Sequence, residues 1–115
     1  MNFFADNQDL RHHIEHAIDW DAFVPQLEKG FVDPDGPKSV AEARELYQAS
    51  LAEIGEFAAR EIAKRAPEID QQGVGFVDGK VVQPPALLQN IEGLRRMGAL
   101  APCLPRPLGG LNFPL

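Results

Sequence analysis

One long amphipathic pattern constrains the fold of this chain more than any other feature. Between Val40 and Ile62, apolar side chains recur every three or four residues and charged side chains fill the other positions, as in a helix with one buried face. The letters SVAE at positions 39–42 match an N-terminal capping box. Pro67 is predicted to end the helix, and Gly55 indicates close approach of a neighbouring helix.

A hairpin and a second helix are predicted after this element. The pair Asp78-Gly79 lies between two short apolar runs, which is typical of a two-residue hairpin turn. From Ala86 an amphipathic pattern again predicts a helix, which Pro102 is expected to stop. The proline-rich tail that follows contains the pair Gly109-Gly110.

Two shorter helical segments are predicted in the N-terminal third. Asp9 is expected to cap the first, with its apolar stripe formed by Leu10, Ile14, Ala17 and Ile18. Residues 20–31 predict a short helix or irregular turn, because Pro25 fits only near the start of a helix. A loop rich in proline and aspartate then spans residues 31–39.

Together these elements predict a mainly α fold. We expect a small orthogonal or up-down bundle-like helical domain with one short β-hairpin. Residues 1–38 are predicted to form an N-terminal helical extension and loop, and residues 39–115 the main helical domain. The 115 residues suffice for one compact unit with a modest core.

Charge and cysteine content restrict the partners and the compartment. The net charge of −6 argues against nucleic acid or an anionic membrane as a partner, since both attract basic surfaces. The single cysteine, Cys103, fits a reducing compartment. No cationic, apolar leader and no run of about 18 apolar residues occurs, so a cytoplasmic location is predicted.

A histidine motif raises the question of a metal site. His12, Glu15 and His16 spell H-x-x-E-H, the pattern of an inverted zinc-protease helix. A catalytic zinc needs a third protein ligand, and the three histidines of the chain all lie within positions 12–16. We therefore predict solvated histidines and no metal site.

Other reactive residues also favour structural roles. Cys103 lies in an apolar, proline-rich stretch and is predicted to be a buried, inert thiol. The segment 33–36 lacks the later oxygen ligands of a calcium loop, so turn chemistry is expected. The pair Gly109-Gly110 lacks the context of a phosphate-binding loop. The residues alone therefore define no catalytic, cofactor-binding or metal site.

Three stretches nevertheless resemble one family in their order and spacing. They are residues 3–37, the long helix at 41–67, and residues 75–115, which run from the hairpin to the glycine pair. Together they resemble the N-terminal helical domain of the acyl-CoA dehydrogenases, particularly longer bacterial members with an extra N-terminal segment. The positions that match the family's helix, turn and glycine pair are Gly93, Gly98, Leu104-Pro105 and Gly109-Gly110-Leu111. The family usually carries acidic and aromatic residues before the glycine pair, where this chain has Arg106-Pro107-Leu108.

The resemblance implies a parent enzyme that carries the chemistry elsewhere. In this family the flavin (FAD) and the catalytic glutamate lie in a middle β-domain and a C-terminal helical domain. The parent would dehydrogenate acyl-CoA thioesters at the α,β position, and this domain would wall part of the acyl pocket. Gly109, Gly110 and Leu111 would serve pocket or domain packing. The 115 residues alone are expected to be inactive and to form homo-oligomers. The alternative is a stand-alone helical dimerisation or interaction module without catalysis.

Overall fold

Helices dominate the computed structural model, which describes residues 1–114. In chain order they are α1 (Gln8–His12), α2 (Trp20–Leu27), α3 (Val40–Phe57), α4 (Ala63–Gln72) and α5 (Pro85–Arg96). The strands β1 (Gly75–Val77) and β2 (Lys80–Val82) form an antiparallel hairpin between α4 and α5. The predicted fold class, a mainly α domain with one short hairpin, is confirmed.

The long amphipathic pattern forms a nearly continuous helical rod. A π-helical turn, Ala58–Ile62, joins α3 to α4. Ser39 Oγ accepts a hydrogen bond from Glu42 N at 3.1 Å, as a capping box requires. The Glu42 carboxylate accepts from Lys38 N at 2.9 Å, one residue earlier than the capping box predicts.

The prediction that Pro67 ends this helix is wrong. Pro67 lies inside α4, which continues to Gln72. Proline has no amide hydrogen, so the carbonyl of Ala63, four residues earlier, loses its helical hydrogen bond. Both Ala63 and Pro67 are exposed. Water can therefore bond the freed carbonyl. Pro25 also lies inside α2, although we expected proline only in the first turn of a helix.

The N-terminal cap also differs from the prediction. Asn7, not Asp9, caps α1, because its side chain accepts from Leu10 N at 3.0 Å. A π-helical turn, His13–Ala17, then closes the segment. Carbonyl groups of this turn accept side-chain donors: Trp20 Nε1 donates to Ile14 O at 2.8 Å, and Arg44 Nη2 to Glu15 O at 3.3 Å.

The hairpin is confirmed, but α5 is shorter than predicted. Asp78 and Gly79 both have positive φ, 50° and 76°, which defines the type I′ turn that matches strand twist. At the end of α5, Gly98 has φ 72°, and Ala99 N donates to Leu94 O while Gly98 N donates to Arg95 O. These two bonds form a Schellman motif. The helix therefore ends at Arg96, well before Pro102.

The core lies between α2 and α3. Its buried apolar side chains are Trp20, Val24, Ala43 and Tyr47. Partly buried residues from the segment before α2, the loop after α2, the start of α3 and the C-terminal tail pack around them: Ile14, Ile18, Phe31, Val40 and Phe113. Residues before and after position 38 thus share one core.

Gly55 packs against the N-terminal residues rather than against a neighbouring helix. A Cβ at this position would overlap Asn2 Oδ1 and the backbone nitrogen of Phe4. Phe3 N donates to Gly55 O at 3.1 Å, and Asn2 Nδ2 donates to Ala52 O at 2.8 Å. Another segment does approach Gly55 closely, as expected, but this segment is the N-terminal turn and not a helix.

The molecule is more extended than a typical domain of its length. Compact domains of this size have a radius of gyration of about 13 Å, whereas this chain has 17.5 Å and extents of 53 × 33 × 18 Å. The hairpin and the residue before it expose apolar side chains on both faces of the ribbon: Val74, Phe76, Val77, Val81 and Val82.

We predict that the fold depends on the small aromatic core. Replacing Trp20, 6% exposed, with alanine should lower the free energy of unfolding by about 3–5 kcal/mol, because it leaves a large cavity. Phe76→Ala, at a side chain 74% exposed, should change it by less than about 0.5 kcal/mol. Urea unfolding followed by circular dichroism measures both. Equal losses in the two variants would contradict this placement of the core.

Candidate functional site

An apolar cavity lies beside the core and shares Trp20 and Tyr47 with it. Its volume is about 440 Å³, within the range of small-molecule pockets. It is enclosed by the first helical segments, the middle of α3 and the C-terminal tail. The lining residues are Ile14, Ile18, Trp20, Phe23, Tyr47, Ser50, Leu51, Ile54, Pro102, Cys103, Phe113 and Pro114.

Local sequence patterns position these side chains. Tyr47, Leu51 and Ile54 recur at helical spacing on α3, so they face the same way. The π-helical turn and the bend at Ile18 bring Ile14 and Ile18 over this face. Leu51 and Ile54 are therefore partly buried cavity residues beside the core.

The polar atoms of the cavity residues are mostly occupied within the protein. Ser50 Oγ donates to Leu46 O at 2.9 Å, and Cys103 Sγ donates to Pro114 O at 3.4 Å. The hydroxyl of Tyr47 is buried without a hydrogen-bond partner in the described residues. Its burial, and secondarily the charge of Glu28, raise the pKa of Tyr47. The cavity therefore favours an apolar occupant and offers no charged group to it.

A buried ion cluster lies next to the cavity. Arg106 Nη1 and Nη2 donate to Glu28 Oε2 and Oε1 at 2.8 and 2.9 Å, and Nη1 also donates to Asp33 Oδ2 at 3.1 Å. The Glu28 side chain is 1% exposed and that of Arg106 15%. Such a bidentate pair is strong and directional. The hydrogen bonds that Arg106 donates to Glu28 are the main reason that the pKa of Arg106 is raised.

The loop at positions 33–36 supports this cluster. Asp33 Oδ1 accepts from Asp35 N at 2.9 Å, which confirms the predicted turn chemistry. The Asp35 amide, followed by Arg106, lowers the pKa of Asp33. Gly36 lies so close to the Arg106 guanidinium that a Cβ would press on it.

The histidines remain apart from the cavity. The rings of His12 and His16 lie with centroids 5.1 Å apart and are tilted by 49° to each other. Glu15 lies 3.4 Å from Arg11 Nε and 3.7 Å from His16 Nε2. Both histidines are exposed. No group of three metal-ligating side chains that could hold an ion occurs among the residues described.

The other sequence candidates lie in the tail. Cys103 is half-buried and lines the cavity. Gly109, with φ 86°, ends a short 3-10 turn, and Gly110 approaches the Leu104 carbonyl so closely that a Cβ would overlap it. Leu111 N donates to Pro102 O at 3.0 Å. These glycines shape the tail that borders the cavity, and their predicted role in domain packing stays a prediction.

Sequence reasoning missed Glu28, Arg106 and the cavity role of Tyr47. In the sequence, Arg106 was noted only as a departure from the family pattern. An arginine within an apolar, proline-rich stretch does indicate an acidic partner, because arginine is rarely buried unless it is paired. Its partner Glu28 lies 78 residues away, and no local pattern links the two.

No match was found for this chain among models of protein families, curated proteins or solved structures. Across residues 1–114, none of the helices combines the length and the apolar character that crossing a membrane requires. The function is therefore inferred from the residues and their geometry.

We predict that Arg106→Gln raises the pKa of Asp33, because it removes one hydrogen bond and one positive charge. The value should stay below the ordinary 3.8, since the Asp35 amide still donates. The lowered pKa stabilises the folded state above pH 3.8, and this contribution disappears as the pH falls through the folded value. Carboxyl carbon NMR titration measures the shift.

Arg96→Gln is the matched control. It should leave the pKa of Asp33 unchanged and raise that of Glu92, which Arg95 and then Arg96 hold at about 2. An Asp33 titration that is the same in the wild type and in Arg106→Gln would argue against the ion cluster.

Proposed function

We propose that this chain is the N-terminal helical domain of a flavin-dependent acyl-CoA dehydrogenase and that its apolar cavity forms part of the wall of the acyl pocket. The observation that carries the proposal is the cavity of about 440 Å³ with an almost wholly apolar lining. The order of the helices, hairpin and glycine pair along the sequence supports the same family. A cytoplasmic enzyme fits the single cysteine and the acidic charge.

The cavity suits a hydrocarbon chain. Each methylene group that leaves water for an apolar site contributes about 0.8 kcal/mol to binding. The side chains of Leu51, Ile54 and Phe113 supply such a site. Ser50 and Cys103 are bonded to backbone carbonyls, whereas the Tyr47 hydroxyl has no partner in the described residues. A charged or strongly polar ligand would lose its hydration without replacement bonds.

The reaction itself belongs to the rest of the proposed parent. FAD bound there would accept the hydride from the β-carbon of the substrate, and a base in the same part would remove the α-proton. The role of this chain is to hold the acyl chain and exclude water. The extended shape, with a radius of gyration of 17.5 Å, supports packing against further domains.

A second candidate, a stand-alone helical interaction module, is favoured by a different observation. The hairpin exposes Phe76 by 74% and Val81 by 61%, and a second copy of the chain would cover such a surface most simply through a two-fold contact. This role needs no ligand in the cavity.

We predict that decanoyl-CoA binds in the cavity through its acyl chain. In ¹⁵N-labelled protein, amide shifts should be concentrated at residues such as Ile14, Leu51 and Ile54, and free coenzyme A should not produce them. Leu51→Trp, which fills the cavity, should weaken binding by at least about tenfold. Leu88→Trp, at a side chain 52% exposed on α5, is the matched control.

Two results would overturn the proposal. One is the absence of decanoyl-dependent shifts at the cavity residues. The other is FAD bound tightly by the 115 residues alone, or thioester turnover by them, because the proposal places this chemistry in other domains. A gene that encodes a flavin-binding β-domain and a helical bundle after Leu115 would support the family, whatever the isolated domain binds.

For the interaction module, we predict concentration-dependent self-association. Phe76→Asp should raise the dissociation constant by at least about tenfold, because it places a charge in an apolar contact. Val32→Asp, at a side chain 76% exposed in the loop before α3, should leave it unchanged. Sedimentation equilibrium measures both. A wild-type chain that stays monomeric at high concentration would exclude this role for the hairpin.

A further inference from the structure

The tail of the protein is bonded mainly to itself. We call residues 102–114 the strap. Leu111 N and Phe113 N both donate to Pro102 O at 3.0 Å, and Asn112 N donates to Leu104 O at 2.9 Å. In the described part of the chain, the backbone hydrogen bonds of the strap all join residues within positions 101–113. The strap is therefore a closed loop without backbone bonds to the helices.

Side chains attach this loop to the body of the domain. The main attachment is the ion pair of Arg106 with Glu28, supported by Asp33. Asn112 Nδ2 donates to Leu27 O at 3.3 Å, and the Phe113 ring meets Tyr47 edge to face with centroids 5.2 Å apart. The bonds of Arg106 and Asn112 therefore both reach the C-terminal end of α2, at Glu28 and Leu27.

We propose that the strap is a movable cover of the apolar cavity and that the buried Arg106–Glu28 ion pair is the latch that keeps it closed. Four strap residues line the cavity opposite the helices: Pro102, Cys103, Phe113 and Pro114. Release of the ion pair frees the strap to swing away and admits an apolar ligand. The inference concerns access to the cavity and holds for any apolar ligand.

The fold allows this motion without unfolding. Opening breaks no backbone–backbone hydrogen bond between the strap and the helices. It breaks the side-chain bond from Asn112 to Leu27 O and the ion pair of Arg106 with Glu28. Segments held by few hydrogen bonds open locally before the whole domain unfolds. Residues 99–101 connect the Schellman motif at the end of α5 to the strap, so this connection can serve as the hinge.

Cys103, the single cysteine, reports opening directly. Its thiolate attacks a bulky aromatic disulfide, forms a mixed disulfide and releases one aromatic thiolate, whose absorbance gives the rate. Glu28→Gln and Arg106→Gln should each accelerate this reaction by at least about tenfold. The double variant should react no faster than either single variant, because both changes remove the same latch. Glu92→Gln, which removes an exposed ion pair with Arg95, should leave the rate within about twofold.

A second control separates opening of the strap from unfolding of the domain. Val24→Ala weakens the core at a fully buried side chain and leaves the latch intact, so it should not change the labelling rate. The proposal is overturned if Val24→Ala accelerates labelling as much as Arg106→Gln does. It is equally overturned if both latch variants label at the wild-type rate while circular dichroism shows that they are folded.

Discussion

The contact between Trp20 on α2 and Tyr47 on α3 is the interaction on which the rest of the structure depends. The two rings lie 5.6 Å apart, and the Trp20 indole also bonds the carbonyl of Ile14. This contact fixes the first helical segments against the long rod. It also brings together the surfaces that line the apolar cavity, and the Phe113 ring from the tail meets the Tyr47 ring edge to face. Core and cavity therefore share their aromatic residues.

Local patterns predicted the elements well where the physical cause was local. The Ser39 cap, the Asp78-Gly79 turn and the periodicity of α3 depend on neighbours within a few residues. The errors at Pro25 and Pro67 arose because each proline leaves free the carbonyl of an exposed residue, Asp21 or Ala63, which water can bond. The early end of α5 followed from a left-handed glycine, Gly98, that the pattern of apolar residues concealed.

The candidate site was harder to predict because long-range contacts build it. The cavity combines residues from both ends of the chain, Ile14 and Phe113 among them. The latch joins Glu28 to Arg106 across most of the sequence. The histidine motif, by contrast, was conspicuous in the sequence, yet it lies on an exposed turn away from the cavity. The spacing of ligand residues in a motif indicates a metal site only where the fold adds the remaining ligands.

Burial is distributed unevenly along the molecule, and this has a consequence for cooperativity. The half that contains α4, the hairpin and α5 has few buried side chains, among them Pro84, Ala86 and Asn90, and Arg65 bonds Asn90 across it at 2.8 Å. Segments with few buried side chains generally open before the rest of a domain, and we expect this half to behave in that way. The amide hydrogens of this half would exchange with solvent through local openings while the half that contains Trp20 and Tyr47 remained native. A partner that docked at the hairpin would therefore stabilise the less stable half of the domain.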